Sequence, residues 1–405
     1  MEFILRQFII VLTLLYLTGC GSGEDEPFVN VPVQSPQGTL MEGFVANRSL
    51  QGLYNSITVA YSPAGPTATP SPHVHTGDIR FPEGAHNGGF ANSNPSFFIP
   101  STFQIVSYDF PLNNTGLGSM LVQTTAASGV NSVVPFSTEP GGTLAVFSLD
   151  STVASSPTLG VMLKATPSGQ HSFNSSDFTG RWGYVSMNHL GNTVAAELDF
   201  SNGNVTGSGY HSNPLGVIHG SSMPTVASTY AINTNGDKLL FMDSTWFVNT
   251  DISMAMTGEA TSIGSDRLSF LFRPLRNTNI VDGQFEVFQW LARSNNSTLG
   301  TTGAPSAAAV VAPEIISTGT INFMSGSATL SNILSVNNSE SYQLQAGSQS
   351  IWSFPSLENN LNNRARLRFL FSEDRKFLFG VDYANDIDER TVLMVGVRRS
   401  SPRTI

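Results

Sequence analysis

An all-β fold of tandem antiparallel β-meander units is predicted by three features of this sequence. Charged residues make up only 12% of the chain, while 37 Gly and 27 Phe are present. With abundant Ser, Thr and Asn, that composition suits short strands joined by polar turns rather than helices. No stretch after residue 20 carries a convincing helical period. Finally, four landmarks recur in the same order three times, the mark of repeated structural units.

Each unit opens on Gly-x-aromatic: Gly52-Leu53-Tyr54, Gly180-Arg181-Trp182 and Gly283-Gln284-Phe285. A strand ending in Phe follows, with Gly three residues on: Phe81 and Gly84, Phe200 and Gly203, Phe323 and Gly326. Next come Ser101-Thr102-Phe103, Ser228-Thr229-Tyr230 and Glu340-Ser341-Tyr342. A strand ending in a base closes each unit: Leu159 to Lys164, Leu268 to Arg273 and Leu393 to Arg398. The gaps between landmarks vary, as loops in a β domain do.

The last unit shows its strands most plainly. Ala365, Leu367, Phe369 and Phe371 alternate with Arg364, Arg366 and Arg368, a period of two that predicts one buried and one wet face. Ser372-Glu373-Asp374-Arg375 turns the chain, and Phe377, Phe379, Val381 and Tyr383 continue the alternation into a further strand, Val392 to Arg398. A meander of this kind either closes into a barrel or leaves edges to protect.

Gly180-Arg181-Trp182 resembles the opening motif of the lipocalins and their calycin relatives. In that family a Trp on the first strand lies beneath an Arg from the last and closes an up-and-down barrel. The resemblance implies that Trp182 meets Arg273, with Tyr54 and Lys164, and Phe285 and Arg398, as substitutes in the outer units. Open or partly closed antiparallel sheets are the alternative architecture.

The N-terminus, MEFILRQFIIVLTLLYLTGC, has Arg6 as a positive flank and an apolar core from Phe8 to Leu17. About ten residues is the length of a signal-peptide core, and short of the roughly 20 that span a membrane. Leu17-Thr18-Gly19-Cys20 resembles the lipobox of bacterial lipoproteins. That resemblance implies cleavage before Cys20, diacylglycerol (with further acyl chains such as palmitate) on this residue, and attachment to a membrane. With Gly21 rather than Asp next, it leans towards the outer membrane of a cell envelope. Cys20 is the only cysteine, so no internal disulfide is available.

The organisation expected is therefore a signal peptide at 1–19, a flexible tether at 20–45, and β units at 46–168, 173–276 and 280–400. Pro167 to His171 and Arg276 to Asn279 separate the units, and Thr298 to Pro313 reads as a mobile low-complexity loop inside the third.

Chemistry-bearing patterns are sparse. His73 and His75 would face one side of an extended chain, with His86, Asp78 and Glu83 near in sequence. They follow a Pro-rich stretch and read as solvated loop residues. Asp382, Asp386, Asp388 and Glu389 lack the spacing of an EF-hand calcium loop and read as a hairpin turn. Trp182, Trp246, Trp290 and Trp352 read as core aromatics.

Gly-x-Ser-x-Gly, HExxH and P-loop motifs are absent, so the expectation is no enzyme, no cofactor, no metal and no catalytic residue. A net charge of −10 without a basic stripe excludes nucleic acid as a partner. What is expected instead is a membrane-anchored envelope lipoprotein with a non-enzymatic binding or structural role, meeting an envelope protein or a glycan. The alternative is a carrier holding an apolar small molecule or lipid inside calycin-like barrels.

Overall fold

In the computed structural model, the described residues are 33–34, 39–41, 50, 52–61, 72–81, 89–93, 102–109, 117–124, 131–139, 141–149, 158–165, 172–188, 192–213, 218–222, 226–259, 267–276, 281–294, 311–333, 336–345, 347–354, 367–382, 390–399 and 403–404. Apart from one 3-10 turn, Ser175–Phe178, the named elements are all strands.

Two short strands, β1 (Val33–Gln34) and β2 (Thr39–Met41), lie within the stretch expected as a tether. The first large sheet follows: β3 (Gly52–Tyr61), β4 (Pro72–Phe81), β5 (Gly89–Ser93), β6 (Thr102–Asp109), β7 (Leu117–Thr124), β8 (Asn131–Thr138), β9 (Leu144–Leu149) and β10 (Thr158–Lys164). Each pairs antiparallel with its neighbour, and β10 returns to β3, so the barrel is closed.

The second sheet holds β11 (Gly180–Asn188), β12 (Thr193–Ser201), β13 (Asn204–Asn213), β14 (Ile218–Ser222), β15 (Val226–Ile232), β16 (Lys238–Phe241), β17 (Ser244–Val248), β18 (Met254–Glu259) and β19 (Arg267–Phe272). Pairing of β12 with both β11 and β13 closes this ring too, with β14 added along the far half of β13.

The third sheet holds β20 (Gly283–Ser294), β21 (Val311–Met324), β22 (Ser327–Ile333), β23 (Val336–Ser341), β24 (Gln343–Leu344), β25 (Trp352–Ser353), β26 (Arg368–Phe371), β27 (Phe377–Asp382) and β28 (Arg390–Arg398). Its two ends, β23 and β24, are separated only by Tyr342, so the chain itself runs from one edge to the other. A last strand, β29 (Arg403–Thr404), pairs with β2.

The recurring landmarks have a common structural cause. Gly52, Gly180 and Gly283 all sit at positive φ (91°, 107° and 132°), where a side chain would be strained. At the next turn, Asn202-Gly203 and Ser325-Gly326 both take left-handed conformations, the tight type of hairpin turn that suits twisted strands. Phe200 then meets Tyr230 at 4.9 Å, as Phe323 meets Tyr342 at 5.0 Å.

Inside the second sheet Trp182, Tyr184, Leu198, Phe200, Phe241, Trp246 and Leu271 form one cluster. Phe285, Phe323, Trp352, Phe369 and Phe371 head a similar cluster in the third. The four tryptophans are all buried, as expected of core aromatics.

A third cluster lies between the sheets. Outward residues of the first (Ile57, Val59, Val74, Val161), second (Val185, Met256, Phe270, Phe272) and third (Phe288, Trp290, Phe379, Val395) make one continuous apolar core. This corrects the expected wet face of the last meander. Arg368 is buried, its guanidinium 4.8 Å from the Tyr210 ring of the second sheet, and Leu370 joins the shared core. Arg364, Ala365 and Arg366 lie outside the described residues.

Two further expectations change. Val311 to Pro313, taken as the end of a mobile loop, pair with β20 as the start of β21. His73 and His75, taken as loop residues, lie on β4 opposite Ala60 and Thr58 of β3. Of the hairpin turn expected around Asp382 to Glu389, only Asp382, at the end of β27, is described; Asp386, Asp388 and Glu389 lie outside the described residues, as do Cys20, Glu83 and His86.

Candidate functional site

The second barrel brings together the most informative side chains. At one end, Arg273 lies over the Trp182 ring with its guanidinium carbon 4.1 Å from the ring centre. It also donates to the carbonyls of Asp177 (3.0 Å), Thr179 (3.1 Å) and Arg181 (3.4 Å). Phe178 stacks on Trp182 at 5.7 Å and accepts the indole N–H through its carbonyl at 2.7 Å. The pairing implied by the lipocalin resemblance is thus present. Burial pulls the Arg273 pKa down, with Glu373 opposing and Arg276 adding to the shift; arginine remains charged regardless.

Equivalent register pairs recur in the outer sheets. Tyr54 pairs in register with Lys164 and Phe285 with Arg398. Arg398 donates to the carbonyl of Asp282 at 2.8 Å. A Cβ on Gly283 would come within 2.9 Å of Arg398 Nε, so the motif glycine also makes room for the closing arginine.

Above the aromatic layer the second barrel changes character. Ser186 on β11 pairs across to Ser269 on β19, which pairs on to Thr257 on β18. In the other direction Ser186 faces Val194, and Val194 faces His211. The sense of each strand is set by its neighbours in the interior cluster (Tyr184, Leu271, Ala255, Val205), two residues away or, for His211, six.

This row therefore places Ser186, Ser269, Thr257 and His211 on the inner face, with the apolar Val194 between Ser186 and His211. Ser186 and Ser269 share a hydrogen bond of 2.8 Å, and Thr257 donates to the Thr245 carbonyl at 2.8 Å. The Ser186, Ser269 and Thr257 side chains are buried. His211 Nδ1 is buried with no hydrogen-bond partner.

One step further up, Asn188 pairs with Arg267. Arg267 donates through Nη2 to the Met242 carbonyl (3.0 Å) and to Ser244 Oγ (2.9 Å). Asn192, whose backbone N–H is bound by Asn188 Oδ1 at 2.8 Å, has its own Oδ1 buried without a partner. The turn that receives Arg267 is strained: Met242 and Asp243 both lie at positive φ (52° and 57°), a conformation that favours Asn-Gly. Met242, Asp243 and Ser244, with Thr229, Leu240 and Thr245, also line a surface depression of about 440 Å³.

The sequence reading missed this layer. Its one visible trace is Ser269 inside the otherwise apolar Leu268-Ser269-Phe270-Leu271-Phe272. In this layer Ser186 and Ser269 bond each other, and Thr257 bonds a backbone carbonyl. No group of three His, Cys, Asp or Glu side chains is placed to hold a metal among the described residues.

Of known proteins, no family model and no curated sequence matches this chain. Among solved structures, it is similar to the vaccine antigen transferrin-binding protein B of Haemophilus parasuis, in a tryptophan mutant. The overlap covers 87% of this chain and 76% of that one, at 9% identity and a TM-score of 0.25. Transferrin-binding protein B of serogroup B Neisseria meningitidis gives 86% and 76% coverage, again at 9% identity and a TM-score of 0.25. At that TM-score nothing is carried over from either protein, and the fold described above rests on this chain's own strands.

Proposed function

We propose that this protein is a non-enzymatic envelope lipoprotein, held to a membrane by lipid on Cys20, that presents two joined β-barrels and a third β-sheet as a rigid binding surface. The observation that carries the reading is the apolar core shared by all three sheets. It fixes their relative positions, so that surfaces on different sheets can meet one partner together. The outer face of β21, β22 and β23 supplies exposed rows such as Asn322, Thr329 and Ser339. Short hydroxyl and amide groups of this kind suit a protein or glycan partner through hydrogen bonds.

The carrier alternative finds less support. Aromatic side chains fill the second and third interiors where an apolar molecule would sit. The anchor is tested by Cys20→Ala: the variant is expected in the soluble fraction, and a variant that sediments with membranes like the parent rejects it. Two or three acyl chains bind far more firmly than one, so the effect should be near complete. For the binding role, the intact mature protein is used to capture partners from envelope extracts and on a glycan array; recovery of neither protein nor glycan rejects it.

A further inference from the structure

The three β units offer an internal comparison of what the fold requires inside. Counted from the motif glycine, Ser186 of the second barrel corresponds to Thr58 of the first and Gln289 of the third. Across the closing strand, Ser269 corresponds to Gly160 and Met394, and Arg267 to Thr158 and Val392.

In the first barrel the space beside Gly160 is taken by Phe147, whose ring atoms would lie 2.0–2.4 Å from a Cβ placed there. In the third, Met394 belongs to the interior apolar cluster, and Gln289 is satisfied by the Asn332 carbonyl at 2.8 Å. The fold is therefore stable with bulky apolar filling at this level. The first barrel keeps two hydroxyls, Thr58 and Thr158, there; the second adds a serine pair, a histidine and an arginine.

Buried polar atoms without partners are costly, and native structures contain few of them. Two of those among the described residues are His211 Nδ1 and Asn192 Oδ1: His211 faces Val194 of β12, and Asn192 lies just before β12 begins at Thr193. Ser186 and Ser269 lie across Val194 from His211, and Arg267 is one step further up the inner wall, so this level offers donors and a cation. Met242 and Ser244, which hold Arg267, also line the surface depression.

We propose that this layer of the second barrel binds a small solute carrying an oxyanion, a phosphate or a carboxylate. Arg267 supplies charge-assisted hydrogen bonds, His211 and the serine hydroxyls complete the shell, and the Asn192 oxygen accepts from a hydroxyl of the ligand. The proposal is independent of the envelope role and of any macromolecular partner.

Tryptophan fluorescence provides the test, because Trp246 lies two residues from Ser244 on the same inner face. The full mature protein is titrated with inorganic phosphate and separately with citrate, each against chloride at matched ionic strength. A saturable change with either, absent with chloride, is expected, and the ligand that responds distinguishes phosphate from carboxylate. Substituting the third unit's residues, Arg267→Val and Ser269→Met, should weaken binding at least about ten-fold, since charged hydrogen bonds are lost.

Should either variant fold poorly, the parent still decides the matter, because a specific ligand raises Tm in a concentration-dependent, saturable way. No saturable response to either anion up to about 10 mM, a concentration that would reveal even millimolar affinity, overturns the proposal. So does an unchanged response in folded Arg267→Val protein.

Discussion

At the scale of single residues, Arg273 combines two roles that no backbone group could supply. Its guanidinium covers Trp182 and its N–H groups satisfy three carbonyls at the chain's entry into the barrel. Arg273→Leu is expected to cost roughly 2–4 kcal/mol, combining the lost cation–π contact with carbonyls left unpaired. Urea unfolding checks this. Arg273→Lys should recover only part, because an ammonium lacks the planar fork.

Glu286 makes a different residue-scale prediction. Burial raises its pKa, against the charge and hydrogen bonds of Arg399. A carboxyl whose folded pKa exceeds its unfolded value binds protons more tightly in the native state, so its ionisation subtracts from stability as pH rises above about 4.5. Below that value, both states are protonated and the effect vanishes. Glu286→Gln should therefore gain in Tm relative to the parent as pH climbs through this window. A gap that narrows with rising pH would contradict the assigned direction.

At the scale of elements, the turn between β16 and β17 departs from local preference. Met242 and Asp243 hold left-handed conformations that Asn-Gly would adopt with less strain. The double change Met242→Asn, Asp243→Gly should raise stability by about 1 kcal/mol if relief of that strain dominates; a thermal melt reads the sign. The Arg267 bond to the Met242 carbonyl is a backbone contact, so it can persist in the variant.

A second element-scale device joins the second barrel to the third sheet. Glu197 Oε1 on β12 accepts from Ser348 Oγ (2.9 Å), Gln349 N (2.8 Å) and Ser350 Oγ (2.6 Å) of the third sheet's connection. Glu197→Ala leaves that carboxylate's donors to solvent. Hydrogen exchange should then rise at 348–350 and little elsewhere, because local opening follows lost local bonds.

At the scale of the whole molecule, the shared core predicts β units that unfold together. Phe379 of the third sheet sits 4.9 Å from Phe270 and 4.4 Å from Phe272 of the second. Phe379→Ala should cost about 3–5 kcal/mol, as for other large core truncations. Between the first and second barrels, a Cβ on Gly258 would lie 2.4 Å from Val74 Cγ1 and 2.6 Å from Ile57 Cγ2. Gly258→Val should wedge these barrels apart and split one calorimetric transition into two. A single unchanged transition in that variant would mean the contact does not couple them.

Much of each barrel was legible because its causes are local. The motif glycines mark positive φ, the Phe-x-x-Gly steps mark hairpin turns, and alternation marks strands. Trp182 and Arg273 were joined in advance only through resemblance, since nothing in their spacing brings them together. The inner row of the second barrel was hidden for a related reason: His211, Ser186, Ser269 and Thr257 come from four strands and are aligned through register alone. Cys20 lies outside the described residues, so the proposal of a lipid on it rests on the sequence pattern.

The sequence by itself determined strand type, turn positions and the threefold recurrence, because these depend on neighbours within a few residues. Only the tertiary structure decided which face of each strand looks inward and what covers the other. A period of two distinguishes two faces but does not name them. Where both are apolar, as in Leu159 to Leu163 or Phe377 to Val381, it cannot separate barrel interior from interface. That choice belongs to the packing of one sheet on another, which made the supposed wet face of Arg368 part of a buried junction.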